Sequence, residues 1–156
     1  MKVNSLLIAV FACLTGVVLL MPSCEKHESC GESNISSAGS NESHNMGKNC
    51  MECHTSGGEG EGCFNVAGTA YNAALTSTLG SGTIKFYSGP NGTGTLVKTV
   101  AIDSKGNFHT TESVNVTNLY PAITGPGGTT QYMSSKPATG ACNSCHGSST
   151  DRLWAN

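Results

Sequence analysis

The sequence of 156 residues contains no run of lysine or arginine. Its eight basic side chains are scattered singly, which leaves no electrostatic footprint for nucleic acid. No apolar stretch is long enough to cross a bilayer as a helix. The longest, Leu6 to Met21, has sixteen residues, against the roughly twenty that a span needs. Between residues 64 and 133 apolar side chains do not recur at helical spacing, which excludes a helical bundle as the body of the protein. Charge of either sign is sparse, 12% of the chain, and what acidity there is gathers at the front. Seven glutamates from Glu25 to Glu61 face only Lys26 and Lys48. A solvated linker is the simpler account of them; a face for a basic partner protein is the other.

Internal repetition is confined to one pentapeptide, present as Cys50-Met51-Glu52-Cys53-His54 and as Cys142-Asn143-Ser144-Cys145-His146. C-x-x-C-H is the attachment pattern of c-type haem, and its spacing has a chemical reason. Cysteines three apart lie along one helical turn, so both sulfurs reach the two vinyl groups on one haem edge. The histidine that follows falls beneath the iron as proximal ligand. The pair of motifs predicts two covalent haems, with Cys50, Cys53, Cys142 and Cys145 as thioether donors and His54 and His146 on the irons. Zinc binding or thiol redox chemistry at the C-x-x-C pairs is the minor alternative.

Four further cysteines remain: Cys13, Cys24, Cys30 and Cys63. Cys30 and Cys63 flank the first motif, and a disulfide between them would close the loop around it in an oxidising compartment. Connectivity cannot be read from sequence, and both staying free is the other reading. Cys13 lies inside the apolar N-terminal run. That run follows Lys2, ends in Pro22-Ser23-Cys24 and gives way to a polar segment. It resembles a bacterial lipoprotein signal over residues 1–23, with Cys24 as the lipidated first residue of the mature chain. Met21 and Pro22 depart from the usual pattern, so an ordinary secretory signal is the alternative. Either leads to export, with lipid anchoring in the outer membrane and surface exposure as the further expectation.

The mature chain divides into a tether, residues 24–43, and a single domain, residues 44–156. Gly31 to Ser43 is Gly/Ser-rich and without periodicity, as a flexible tether would be. From Phe64 to about Met133 short runs rich in Val, Ile, Thr, Tyr and Phe alternate with glycine and asparagine. Expected strands are Phe64–Tyr71, Gly82–Tyr87, Thr95–Ile102, Gly106–Thr110, Ser113–Val116 and Leu119–Ile123. Ser88 to Gly94 is a turn cluster. Asp103 to Phe108 reads as a hairpin turn with Gly106 free to take a positive φ. Such spacing favours a mainly β fold, a small β-sandwich flanked by two short haem-binding segments.

Val66-Ala67-Gly68-Thr69-Ala70-Tyr71, Gly82-Thr83-Ile84-Lys85-Phe86-Tyr87 and Asp103-x-x-Gly106-x-Phe108 resemble the carboxypeptidase-regulatory, transthyretin-like (immunoglobulin-like) sandwich domains. Residues 44–156 together resemble small bacterial surface cytochromes in which such a sandwich lies between two haem motifs. The resemblance implies that the sandwich is a scaffold and that the haems carry the function.

Each iron would need a sixth ligand, for which the candidates are His27, His44, His109, Met46, Met51 and Met133. His44 stands ten residues before His54, and ten residues span up to roughly 33 Å, enough to wrap a haem edge. It is favoured for the first iron over a solvated histidine. Met133 stands thirteen residues before His146, one apolar side chain in a polar stretch. It is favoured for the second iron, with core filler as the plainer role. His109 is the alternative there, because strand alternation turns it outward if Phe108 points inward. Met51 sits inside the haem loop, and ordering His27 in the tether would cost entropy. Trp154 is expected over a haem face or edge, or packed on the sandwich.

Closed, six-coordinate irons suit electron transfer rather than substrate activation, so the chain is not expected to be an enzyme. Redox partner proteins and a membrane anchor follow from that reading, and self-association is compatible with it. A surface or filament subunit whose haems form a chain is the second reading. A small dihaem peroxidase is the third, although the β segment leaves little room for a distal pocket.

Overall fold

The computed structural model describes residues 29–156. His27, Cys24, Cys13 and the signal segment lie outside them. The described chain is mainly β, as expected. Its strands are β1 (Val66–Thr69), β2 (Tyr71–Asn72), β3 (Gly82–Tyr87), β4 (Leu96–Ile102), β5 (Asn107–Thr110), β6 (Tyr120–Thr124), β7 (Thr130–Tyr132) and β8 (Trp154–Ala155). Helical structure among these residues is limited to five 3-10 turns of three residues each.

The largest sheet is antiparallel, in the order β4-β3-β6-β7. Alternation along β3 buries Ile84 and Phe86 and leaves Thr83, Lys85 and Tyr87 partly exposed. Val100 and Ile102 on β4 and Ile123 on β6 join that inner face. They meet Val66 and Phe108 from a second, two-stranded antiparallel pair, β1 with β5. Asp103 carries the chain from one sheet to the other. Its buried carboxylate accepts hydrogen bonds from the backbone N–H of Lys105 (2.8 Å) and Asn107 (3.0 Å). Gly106 takes φ +91° in this turn, as expected, and a Cβ there would fall 2.6 Å from that of Thr78.

Three expectations change. The run Phe64–Tyr71 is not one strand. β1 pairs with β5, and after Ala70 the chain changes partner, β2 running parallel to β8. Ser113–Val116 is not a strand: Val114 donates its N–H to the side chain of Asn65, and a 3-10 turn begins at Val116. Val114 and Val116 are nonetheless buried in the core, which is why their apolar spacing imitates a strand. The third concerns the segment expected as a tether. Ile35 forms a β-bridge with Thr110, and Ser36 exchanges hydrogen bonds with both backbone groups of His109. Asn34 and Thr111, and Ser40 and Ser104, are likewise bonded. Residues 34–40 thus lie against the β5 edge. Cys30 and Cys63 are joined by a disulfide, which ties the same segment to the loop that carries the first C-x-x-C-H motif.

Candidate functional site

Both C-x-x-C-H motifs fold into the same tight turn. In the first, the backbone N–H groups of Cys53 and His54 donate to the carbonyl of Cys50, at 3.3 and 3.0 Å. In the second, Cys145 and His146 donate to Cys142, at 3.3 and 2.9 Å. The leading sulfur of each motif rests near the carbonyl two residues back, Cys50 on Lys48 (3.7 Å) and Cys142 on Gly140 (3.6 Å). None of these four cysteines is in a disulfide.

The two motif histidines are held alike. His54 Nδ1 lies 2.8 Å from the carbonyl oxygen of Glu61, and His146 Nδ1 lies 2.9 Å from that of Asp151. A carbonyl only accepts, so Nδ1 donates to it, and in the neutral ring Nε2 then keeps its lone pair. This is how metal-ligating histidines are commonly oriented. His54 is further clamped. Phe64 stacks on one face at 4.0 Å between centroids, and a Cβ on Gly60 would lie 2.7–2.9 Å from three atoms of the imidazole.

His44 lies beside this clamp, its ring centroid 6.0 Å from that of His54 and tilted by 33°. Metal–nitrogen bonds of about 2 Å would set two imidazoles on opposite sides of one metal with ring centres about 6 Å apart. The donor set at the first motif therefore fits a bis-histidine haem. His109 belongs to this same cluster and not to the second motif, for which it was the alternative ligand. It stacks on the other side of Phe64 at 4.5 Å, and its Nε2 is committed to Asn34 Oδ1 at 2.8 Å. Phe108 is buried and His109 faces outward, as alternation requires, but outward here means towards Phe64 and Asn34. Met46 is exposed and Met51 half-buried.

Beside the second motif lies a cleft of about 630 Å³, within the range of about 300–1,000 Å³ typical of cofactor pockets. Cys142, Cys145, His146, Met133 and Trp154 all line it. Met133 is anchored there by its N–H, which donates to the carbonyl of Pro121. Trp154 is set by the β8 pairing with β2. Lys136 and Arg152 also line the cleft, two cations suited to the carboxylates of a haem edge.

The leading thiol of each motif is poorly suited to act as a thiolate. Burial, with Cys50 nearby, pushes the Cys142 thiol up to about 12. Burial also raises Cys50, with the Asp103 carboxylate adding to it. Thiolate is the form that binds zinc or attacks a disulfide. No three His, Cys, Asp or Glu side chains converge on a common point among the described residues, whereas structural zinc takes four.

No family model, curated protein or solved structure matches this chain. No helix among the described residues is long and apolar enough to cross a membrane.

Nothing in residue type or spacing marks the residues that join the two motifs. Thr69, at the end of β1, donates its N–H to Asn143 Oδ1 (2.7 Å) and its hydroxyl to Asn107 Oδ1 (2.6 Å), and accepts from the N–H of Gly47 (2.8 Å). Asn107 in turn donates to the carbonyl of His44 (2.9 Å). Gly68 lets the second turn lie directly on β1, since a Cβ would come 2.9 Å from that of Cys142. Asn143 occupies a free x position of C-x-x-C-H, and Thr69 reads as an ordinary strand threonine. Neither has a signature in one sequence.

Proposed function

We propose that this chain is a dihaem c-type cytochrome that passes electrons in the cell envelope or at the cell surface. Cys50 and Cys53 hold one haem and Cys142 and Cys145 the other, with His54 and His146 as proximal ligands. His44 and Met133 are the distal ligands. Haem supplies a one-electron couple whose potential depends on axial ligand identity. The observation that carries the reading is the shared geometry of the motif histidines, each with Nδ1 bonded to a backbone carbonyl and Nε2 left for a metal. Sequence spacing alone does not demand that arrangement.

The chain's own residues hold and orient. Phe64, Gly60 and the Glu61 carbonyl fix the plane of His54. The β body is read as the transthyretin-like sandwich. In support, the inner faces of its two antiparallel sheets share one apolar core, and both motif turns sit on β1. Such a scaffold would keep the two irons in fixed positions, as a relay requires. Anchoring through lipidated Cys24 would keep the relay at a membrane, serving redox partner proteins.

Intact mass of the exported protein, measured in denaturant, tests this directly. Two haems should remain attached, and Cys145→Ala should leave one weakly held or lost. Zinc, or haem that extracts into acidified solvent, would end the cytochrome reading. Labelled palmitate should enter wild type and not Cys24→Ser.

A further inference from the structure

The second motif does more than present two thiols and a histidine. Along one edge of β1, Ala67 donates its N–H to the carbonyl of Gly140, and two residues on Thr69 donates to the side chain of Asn143. Residues two apart face the same edge of a strand. Asn143 therefore supplies with its amide the acceptor that a neighbouring strand's carbonyl would supply. Asn143 is 9% exposed and Thr69 2%, so water offers little substitute.

From Thr69 the bonds continue to the other haem. Its hydroxyl both donates to Asn107 and accepts from Gly47, and Asn107 donates to the carbonyl of His44. Asn107 on β5 thus holds the His44 carbonyl, and Thr69 on β1 holds Gly47 three residues further on, Thr69 itself being fixed from the far side by the second motif turn. His44 itself is exposed, its neighbour Asn45 has φ +52°, and the turn that follows is closed by the bond from Lys48 N–H to the Asn45 carbonyl.

We propose that the buried chain Asn143–Thr69–Asn107 couples the two haem sites, with Thr69 and Asn143 as positioning residues that hold the His44 segment over the first haem from the second haem's attachment turn. The proposal rests on the dihaem reading and on His44 as a ligand. It gives the second motif a role at the first iron that its own ligands do not have. Cooperative networks of this kind act as units, so breaking one bond is felt along the whole chain.

The test uses the mature, haem-loaded protein. Asn143→Ala and Thr69→Val should raise backbone hydrogen exchange over residues 43–49 by roughly tenfold, a mid-range coupling within one hydrogen-bond network. The low-spin bis-histidine signal of the first haem should weaken in both. Asn143→Asp and Thr69→Ser keep the needed oxygens and should restore both readouts. Asn143→Ser, with a shorter reach, serves if the alanine variant does not accumulate, and should fall between. Unchanged exchange over 43–49 in Asn143→Ala, or in Asn143→Ser where that variant replaces it, would overturn the proposal. So would equal loss of protection in β3 and β6, which would mark general loosening. A rise in exchange with a fully low-spin first haem would overturn the claim on His44. Protein of a mass without covalent haem would remove the cytochrome reading, while exchange at 43–49 would still decide the link between Asn143 and that segment.

Discussion

The ring of His54 lies parallel to that of Phe64, with centroids 4.0 Å apart and planes within 8°. Phe64 in turn carries His109 on its opposite face at 4.5 Å. An aromatic side chain that a strand assignment would treat as core filler is thus the wall against which the first motif histidine is set. Phe64→Ala should cost about 3 kcal/mol, as for other large-to-small changes at buried sites. Phe64→Leu should cost about 1 kcal/mol, yet it removes the flat surface. Comparing thermal midpoints with the midpoint potential of the first haem separates these effects: the leucine variant should move the potential while the midpoint temperature falls only a little.

The axial assignment predicts two independent spectral losses. His44→Ala should make one haem high-spin and reactive towards carbon monoxide, and Met133→Ala should do so to the other and remove any methionine–iron charge-transfer band. The unmutated protein should bind carbon monoxide poorly. Rapid turnover of peroxide by wild type would instead favour an enzyme.

His109 introduces a dependence on pH. Burial holds its pKa below the ordinary histidine value, with the Asp103 carboxylate opposing that shift. A base depressed in the folded state contributes stability that is present above its unfolded pKa, about 6.5, and is lost as pH falls through the folded value. The midpoint temperature should therefore drop between pH 7 and pH 5, and His109→Gln should flatten that drop. An unchanged slope in the variant would assign the acid lability to other groups.

The Cys30–Cys63 disulfide closes a loop with a sequence separation of 33. A closure of that length stabilises by roughly 3 to 4 kcal/mol in the chain-entropy account. The double variant Cys30→Ser/Cys63→Ser should lose about that much in denaturant titration. Because the loop also contains the Glu61 carbonyl that orients His54, its first haem should lose its spectral signature before the second as denaturant rises.

What could be read from the sequence were features written in side-chain identity. The two motifs, the alternation of Thr83 to Tyr87 and the turn at Gly106 each carry a local signal, and the structure holds the strand and the turn where that signal puts them. β7 and β8 escaped notice because Thr130-Gln131-Tyr132 and Trp154-Ala155 are too short to show alternation, and they exist only through their partners. The histidine acceptors escaped for another reason. Glu61 and Asp151 contribute backbone carbonyls, which every residue has, so their type is uninformative. Likewise the docking of residues 34–40 uses backbone groups and serine hydroxyls that, in sequence, suggest a flexible linker.

The disulfide also decides how mechanical load would travel through the molecule. Tension applied at the N-terminus of a chain held there reaches Cys30 and crosses the sulfur–sulfur bond to Cys63 and Phe64. Residues 31–62 form a side branch off that path and carry no load. His44, Cys50, Cys53 and His54 all lie in that branch. A pull applied at that end would thus bypass His44 and the first C-x-x-C-H motif and be borne by the β core that begins at Val66.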